Sequence, residues 1–242
     1  MSEGLRERKK RQTRRRIREV AMRQFVERGF DKVTIAQVAA EAEVSVNTLY
    51  NYFEAKEDLV LPPDEASPRR LAEIVRERPP GASPARAVLT RLREEVRGRE
   101  RQLGLTDGFG QVFEMMRAAP TLTARLEDLG HEMTEALAAQ LATETGTDRD
   151  DPALCAAAGQ IGWFHSMVFA EIGRRLVAGR TPDEIATDVL LLLDAVEELL
   201  GERAFTYAVR GDTPRDGTPR DDAPHHGTPR HDTPREDRPC SG

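Results

Sequence analysis

Cysteine is almost absent: the 242 residues hold two, Cys155 and Cys240, far apart and in unlike surroundings. That excludes a disulfide scaffold and a cysteine-rich zinc module, and suits a reducing cytoplasm. Cys155 sits among alanines and is expected to be packed and inert. Aromatics are scarce at 5%, while Ala, Leu, Glu and Arg dominate, which favours helices over strands. No segment sustains a period-two alternation of apolar and polar residues, so the expected fold is all-α. The basic N-terminus is not followed by the apolar stretch of roughly 7–15 residues that a signal peptide needs.

Long hydrophobic runs are missing too. The nearest approach is Pro152–Ala170, 19 residues without Asp, Glu, Lys or Arg. Gln160, His165, Ser166, two glycines and many alanines make it a helix buried in a bundle or between subunits, and no membrane partner is expected. Catalytic patterns are equally absent. There is no Gly-rich phosphate loop, no G-x-S-x-G elbow and no carboxylate pair set apart by spacing. His131-Glu-Met-Thr-Glu135 opens like a zinc-protease helix, but Glu135 replaces the second histidine and no third ligand is evident. The chain therefore reads as a non-enzyme with no catalytic residue, no metal and no cofactor.

What is present is an uneven charge. The net value of −6 divides into +3 over residues 1–60 and −9 over the rest. The first 18 residues alone hold nine Lys and Arg against Glu3 and Glu7. A basic arm joined to an acidic body suits a polyanionic partner. The other end is low in complexity: proline recurs at 214, 219, 224, 229, 234 and 239, in a stretch almost free of apolar residues. Such a segment cannot offset its ordering entropy, and the tail is expected to be disordered, with His225, His226 and His231 as bystanders rather than ligands.

Between these ends the chain reads as helices and punctuation. The spacing of Ile17, Val20, Ala21 and Phe25 predicts a first helix over 5–28, stopped by Gly29. Thr34-Ile-Ala-Gln37 has the form of a capping box and opens a helix to about Ala42. Ser45 caps a third, to Phe53. Further helices are expected over 71–78, from Ser83-Pro84 to Arg99, from Asp107 to Ala118, over 120–145, from Asp151-Pro152 to about Gly179, and from Thr181 to Gly201.

Two short helices flanking Glu43-Val44 form a helix-turn-helix, whose second helix enters the major groove. Ile35, Val38, Ala39, Val44, Leu49 and Phe53 can bury together, which leaves Ser45, Val46, Asn47, Tyr50 and Asn51 facing outward. Asn can pair with adenine, Val and Tyr can touch a thymine methyl, and Ser can bond base or phosphate. Lys56 is placed for a phosphate contact, and Thr34 beside a phosphate at the N-terminus of its helix. The basic residues before Ile17, Arg14 among them, form an arm to the DNA backbone or minor groove.

On these residues the sequence resembles the TetR family of transcriptional regulators. The resemblance is carried by Phe25-Val-Glu-Arg-Gly29-Phe30, by Thr34-Ile35 and Val38-Ala39, and by Val44-Ser45 followed by Thr48-Leu49-Tyr50-Asn51-Tyr52-Phe53 and Lys56-Glu57-Asp58-Leu59. Two positions depart from it: the family usually has Gly where Glu43 stands and often where Asn47 stands. The resemblance implies a homeodomain-like DNA-binding domain over 1–60, a helical ligand-binding and dimerisation domain over 61–205, and here the tail over 206–242. It further implies a homodimer joined through helices at about 152–178 and 182–200, a near-palindromic operator in double-stranded DNA, and a small apolar inducer. The DNA-contacting set is then Arg14, Thr34, Ser45, Val46, Asn47, Thr48, Tyr50, Asn51, Tyr52 and Lys56. Phe109, Phe113, Met116, Trp163, Phe164 and Met167 are the candidates to line an inducer pocket. The segments 78–84 and 145–152 resemble, more loosely, the subgroup of the mycofactocin regulator. Two other functions fit the same composition: a ligand-independent DNA binder, and a helical partner-binding protein without operator specificity.

Overall fold

The structure, a computed structural model, describes residues 4–61, 66–100, 103–106 and 108–211. The predicted disordered tail falls outside them, apart from its first few residues, as do Pro62-Pro63 and the expected cap Asp107. Among the described residues every regular element is helical.

The helix α1 (Leu5–Arg28) ends where expected: Gly29 turns at φ 88° and its N–H bonds the Phe25 carbonyl. A short 3-10 turn, Phe30–Lys32, leads to α2 (Ile35–Glu41). Its capping box is complete, with the Thr34 hydroxyl accepting from Gln37 N–H and the Gln37 side chain accepting from Thr34 N–H. α3 (Val46–Tyr50) starts at Ser45 but is shorter than predicted. Its last turn loosens rather than stops: Tyr52 N–H bonds Leu49 O in the 3-10 pattern, while Phe53 N–H still reaches the same carbonyl.

The body follows in α4 (Arg70–Glu77), α5 (Pro84–Gly98), α6 (Phe109–Ala118), α7 (Pro120–Thr145), α8 (Pro152–Val177) and α9 (Pro182–Leu199). Caps at Ser83, Asp151 and Thr181 fall where the sequence put them, and α7 ends at the left-handed Gly146. One element was not foreseen. α10 (Glu202–Thr206) follows Gly201, and Phe205, Tyr207 and Ala208 lie against the body's core. The folded chain thus continues past 205.

Two apolar cores hold the molecule. The larger joins α4, α5, α7, α8 and α9 around Leu89, Leu137, Phe164 and Leu193. The smaller packs Ile17, Phe25, Val38, Leu49 and Phe53 together, and it also takes in Met115 and Met116 of α6 and Leu122 of α7. Two helices of the body therefore complete the core of the first 60 residues. The other half of α6 lies on α8: a Cβ at Gly173 would sit 1.9 Å from the Phe113 ring, and one at Gly110 would sit 3.0 Å from the Leu176 carbonyl. α6 thus contributes to the smaller core and lies against α8 of the body.

α8 is long and apolar enough to cross a membrane. Its Leu154, Ile161, Phe164, Val168 and Ile172 instead pack into the larger core. The expectation for Cys155 is corrected. It is exposed on the outer side of the first turns of α8, and its thiol donates to the Arg149 carbonyl at 3.3 Å. A neighbourhood of alanines is apolar but says nothing of which side of the helix faces in.

Candidate nucleic-acid interface

The helix-turn-helix is assembled from its apolar side. Val38, Ala39, Leu49 and Phe53 are buried, and Ile35 and Val44 are half-buried against them. Glu43 makes the turn at φ 54°, the left-handed region in which a side chain is strained. Arg23 and Gln24 of α1 both bond the Glu41 carboxylate, which clamps the end of α2 to α1. The Arg23 bond is the main cause that holds Glu41 below the usual carboxylate range.

With that core fixed, α3 presents a row to solvent. Ser45, Val46, Asn47, Tyr50 and Asn51 are all exposed, and Val46 (40%) and Tyr50 (48%) are among the few large apolar side chains left uncovered. Positions 46, 47, 50 and 51 are one helical turn apart in pairs and share one face. Ser45 Oγ accepts from Thr48 N–H at 3.0 Å and lies 2.8 Å from the Thr48 hydroxyl, so these two hydroxyls set the start of α3.

The other predicted contacts are placed differently. Thr34 is exposed, with its hydroxyl in the capping box. Thr48 and Tyr52 are half-buried, Tyr52 against the smaller core. Arg14 lies with its guanidinium 5.3 Å from the centre of the Phe53 ring, which anchors it beside the end of the motif. Lys56 is committed to the fold: its ammonium donates to the Phe30 carbonyl at 2.6 Å and sits over the Phe30 and Phe25 rings. Burial pushes its pKa down, against the opposing pull of Asp31 and Glu57. Its geometry is that of a pin under the 3-10 turn.

The six inducer candidates do not gather at one cavity. Met116 is buried in the smaller core, Phe164 in the larger, and Phe113 covers Gly173. Trp163 is 58% exposed and faces outward. Phe109 is half-buried near Gly104, and Met167 packs at the edge of the larger core. A shallow crevice, open to solvent, lies between Ala85, Ile161, Phe164, Ala204 and Tyr207. Two buried polar groups of the body were missed, His165 and Glu95: among the described residues His165 Nε2 and Glu95 Oε2 find no hydrogen-bond partner, while Glu95 Oε1 holds Arg70 and Arg91. Nothing in local spacing marks them, because their burial depends on which helices cross above them. His131 is exposed, and Glu135 pairs with Arg149 at 3.2 Å, so that segment is a solvated helix face.

Comparison with known proteins bears on the same motif. Residues 17–61 match the family described as bacterial regulatory proteins, tetR family. The HTH-type transcriptional regulator TcmR of Streptomyces glaucescens is 31% identical over 156 residues, which cover 61% of this chain and 67% of TcmR. The chain belongs to the TetR family. It is a DNA-binding transcriptional regulator rather than an enzyme. The HTH-type transcriptional repressor KstR of Rhodococcus jostii (strain RHA1) is 28% identical over 189 residues, covering 77% of this chain and 82% of KstR. The solved SmeT–triclosan complex superposes with a TM-score of 0.51 at 15% identity, over 86% of this chain and 99% of that one, and shares its fold. Within this TetR regulator the family match runs from Ile17, midway along α1, to Leu61, and so includes the exposed α3 row.

Proposed function

We propose that this TetR regulator is a cytoplasmic homodimeric repressor that reads a near-palindromic operator with α3 and is released by a small apolar ligand. The observation that carries the operator reading is the exposed row Val46, Asn47, Tyr50 and Asn51 on a helix fixed from behind by a complete core. Asn47 and Asn51 supply paired donor and acceptor groups, and Val46 and Tyr50 supply apolar contact. Residues 1–60 act as the reading unit, with the basic α1 bringing Arg14 to the backbone; Thr34, Ser45, Thr48, Tyr52 and Lys56 shape and flank it. Residues 61–205, continued by α10, act as the regulatory and dimerising body.

A dimer is supported by what α8 and α9 leave uncovered. Ala156, Gly159, Trp163, Ser166 and Ala170 make an exposed stripe on α8, and Thr187, Leu191 and Ala195 make one on α9. A Cβ at Gly159 would meet nothing within 4 Å, so its lack of a side chain serves no contact within the chain. Such small-residue stripes let a second copy approach closely, and a two-fold dimer matches two half-sites. Repression is supported by KstR being a repressor, and ligand release by SmeT being solved with triclosan.

A second reading keeps the operator and drops the ligand. It is favoured by the scatter of the six inducer candidates over the two cores and the surface. Selection from a pool of random duplexes tests the operator reading. The expected product is one inverted repeat with half-site centres about 10 base pairs, or a multiple, apart; a pool that stays random contradicts it. A screen of uncharged apolar compounds for release from the selected duplex then separates ligand-responsive from ligand-independent action.

A further inference from the structure

α4 is eight residues long, has no side-chain cap at its N-terminus, and at its C-terminus its own side chains cover only the Val75 carbonyl, through Arg78. A helix of that length is marginal alone, and its last carbonyls need partners from elsewhere. Those of the Arg76 and Arg78 carbonyls come from far along the chain. Arg210 donates through Nη1 to the carbonyls of Arg76 at 2.7 Å and Arg78 at 2.6 Å. Its backbone closes the same corner: Gly81 N–H bonds Arg210 O at 2.8 Å, and Arg210 N–H bonds Ala82 O at 3.1 Å.

Arg78 completes the knot from inside. Its side chain, 2% exposed, donates to Val75 O, to Ala82 O at 3.1 Å and to Ala208 O at 2.9 Å, and pairs with Glu144 of α7 at 2.7 Å. Ala208 is held at φ 47°, a left-handed conformation that an alanine adopts only under constraint. The α4–α5 corner, the end of α7 and the segment after α10 thus meet on two guanidinium groups. The apolar cover there is thin, since Phe205, Tyr207 and Ala208 are only half-buried against the core. Polar joints with so little buried apolar surface open before a core does.

We propose that residues 207–210 form a detachable clasp that caps α4 from the segment after α10. While it is closed, α4, the first helix of the body after the reading unit, is held in register with α5 and α7. When it opens, α4 loses its C-terminal partners and frays. The operator and ligand readings are not needed for this inference, and it can fail or stand without them.

Hydrogen exchange on the full-length protein tests it, comparing wild type with Arg210→Ala, which removes the guanidinium, and Arg210→Pro, which also removes the N–H. The expected result is exchange at least tenfold faster over residues 70–83 in both variants, larger for Arg210→Pro, with α8, α9 and the reading unit unchanged. Unchanged exchange over 70–83 in both variants would overturn the proposal. So would an equal rise in every helix, or loss of folding in Arg210→Ala, since a detachable clasp cannot hold up the whole body.

Discussion

Glu43 shows how a single residue can work against its own turn. At φ 54° it occupies a conformation that costs a side chain about 1–2 kcal/mol, and its contact with Arg16 at 3.6 Å is too exposed to offset that. Glu43→Gly is expected to raise stability by roughly 0.5–1 kcal/mol, the relief less the extra chain entropy of glycine, read from denaturant midpoints. His165 makes the complementary case in the body. Burial, with a smaller contribution from the Arg70 charge, pulls its pKa from 6.5 to about 4, so the folded protein keeps it neutral where the unfolded chain would protonate it. Stability from this group is full above pH 6.5 and is lost as pH falls towards 4. Between pH 7 and pH 5, before most carboxylates titrate, the loss is expected to be about 2 kcal/mol. Denaturation of His165→Leu over the same range should show a flatter profile, and an unchanged slope would assign the loss to other groups.

At the scale of elements, α6 joins the reading unit to the body. Met115 and Met116 complete the core behind the helix-turn-helix, while Phe113 of the same helix fills the place of a side chain at Gly173 on α8. Gly173→Ala must displace that ring, and the expected cost is about 1–3 kcal/mol. Adding Phe113→Ala should recover part of it, so the double variant is less destabilised than the sum of the two; simple additivity would separate the two residues. The sequence made most of these elements legible because their ends are written locally. Thr34 and Gln37, Ser83-Pro84, and Thr181 with Glu184 each fix a helix start through bonds three residues away. What it could not show depends on long-range placement. Met116 read as a pocket residue and lies in the other core; Lys56 read as a phosphate contact and donates to Phe30; α10 holds its place through contacts made by Phe205 and Tyr207, not through a pattern of its own. Trp163, read as lining a pocket, lies on the outer side of α8 for the same reason.

The whole molecule divides its charge as it divides its work. A first quarter at +3 carries the exposed α3 row, and the acidic remainder at −9 repels a polyanion everywhere else. If the exposed α8 and α9 stripes pair two copies, Trp163→Glu should convert a dimer to a monomer in sedimentation equilibrium and weaken binding to a full inverted repeat towards that of one half-site. A dimer that persists would move the interface elsewhere. The central claim, that the outer row of α3 reads sequence, is tested most directly by the affinity of wild type and Asn47→Ala for a selected duplex and its scrambled counterpart across a salt series. Wild type is expected to prefer the selected duplex by about 10³-fold or more. Asn47→Ala should lose about 1–3 kcal/mol of that preference with an unchanged salt slope. Equal wild-type affinity for the two duplexes, or full discrimination in Asn47→Ala, would contradict the account.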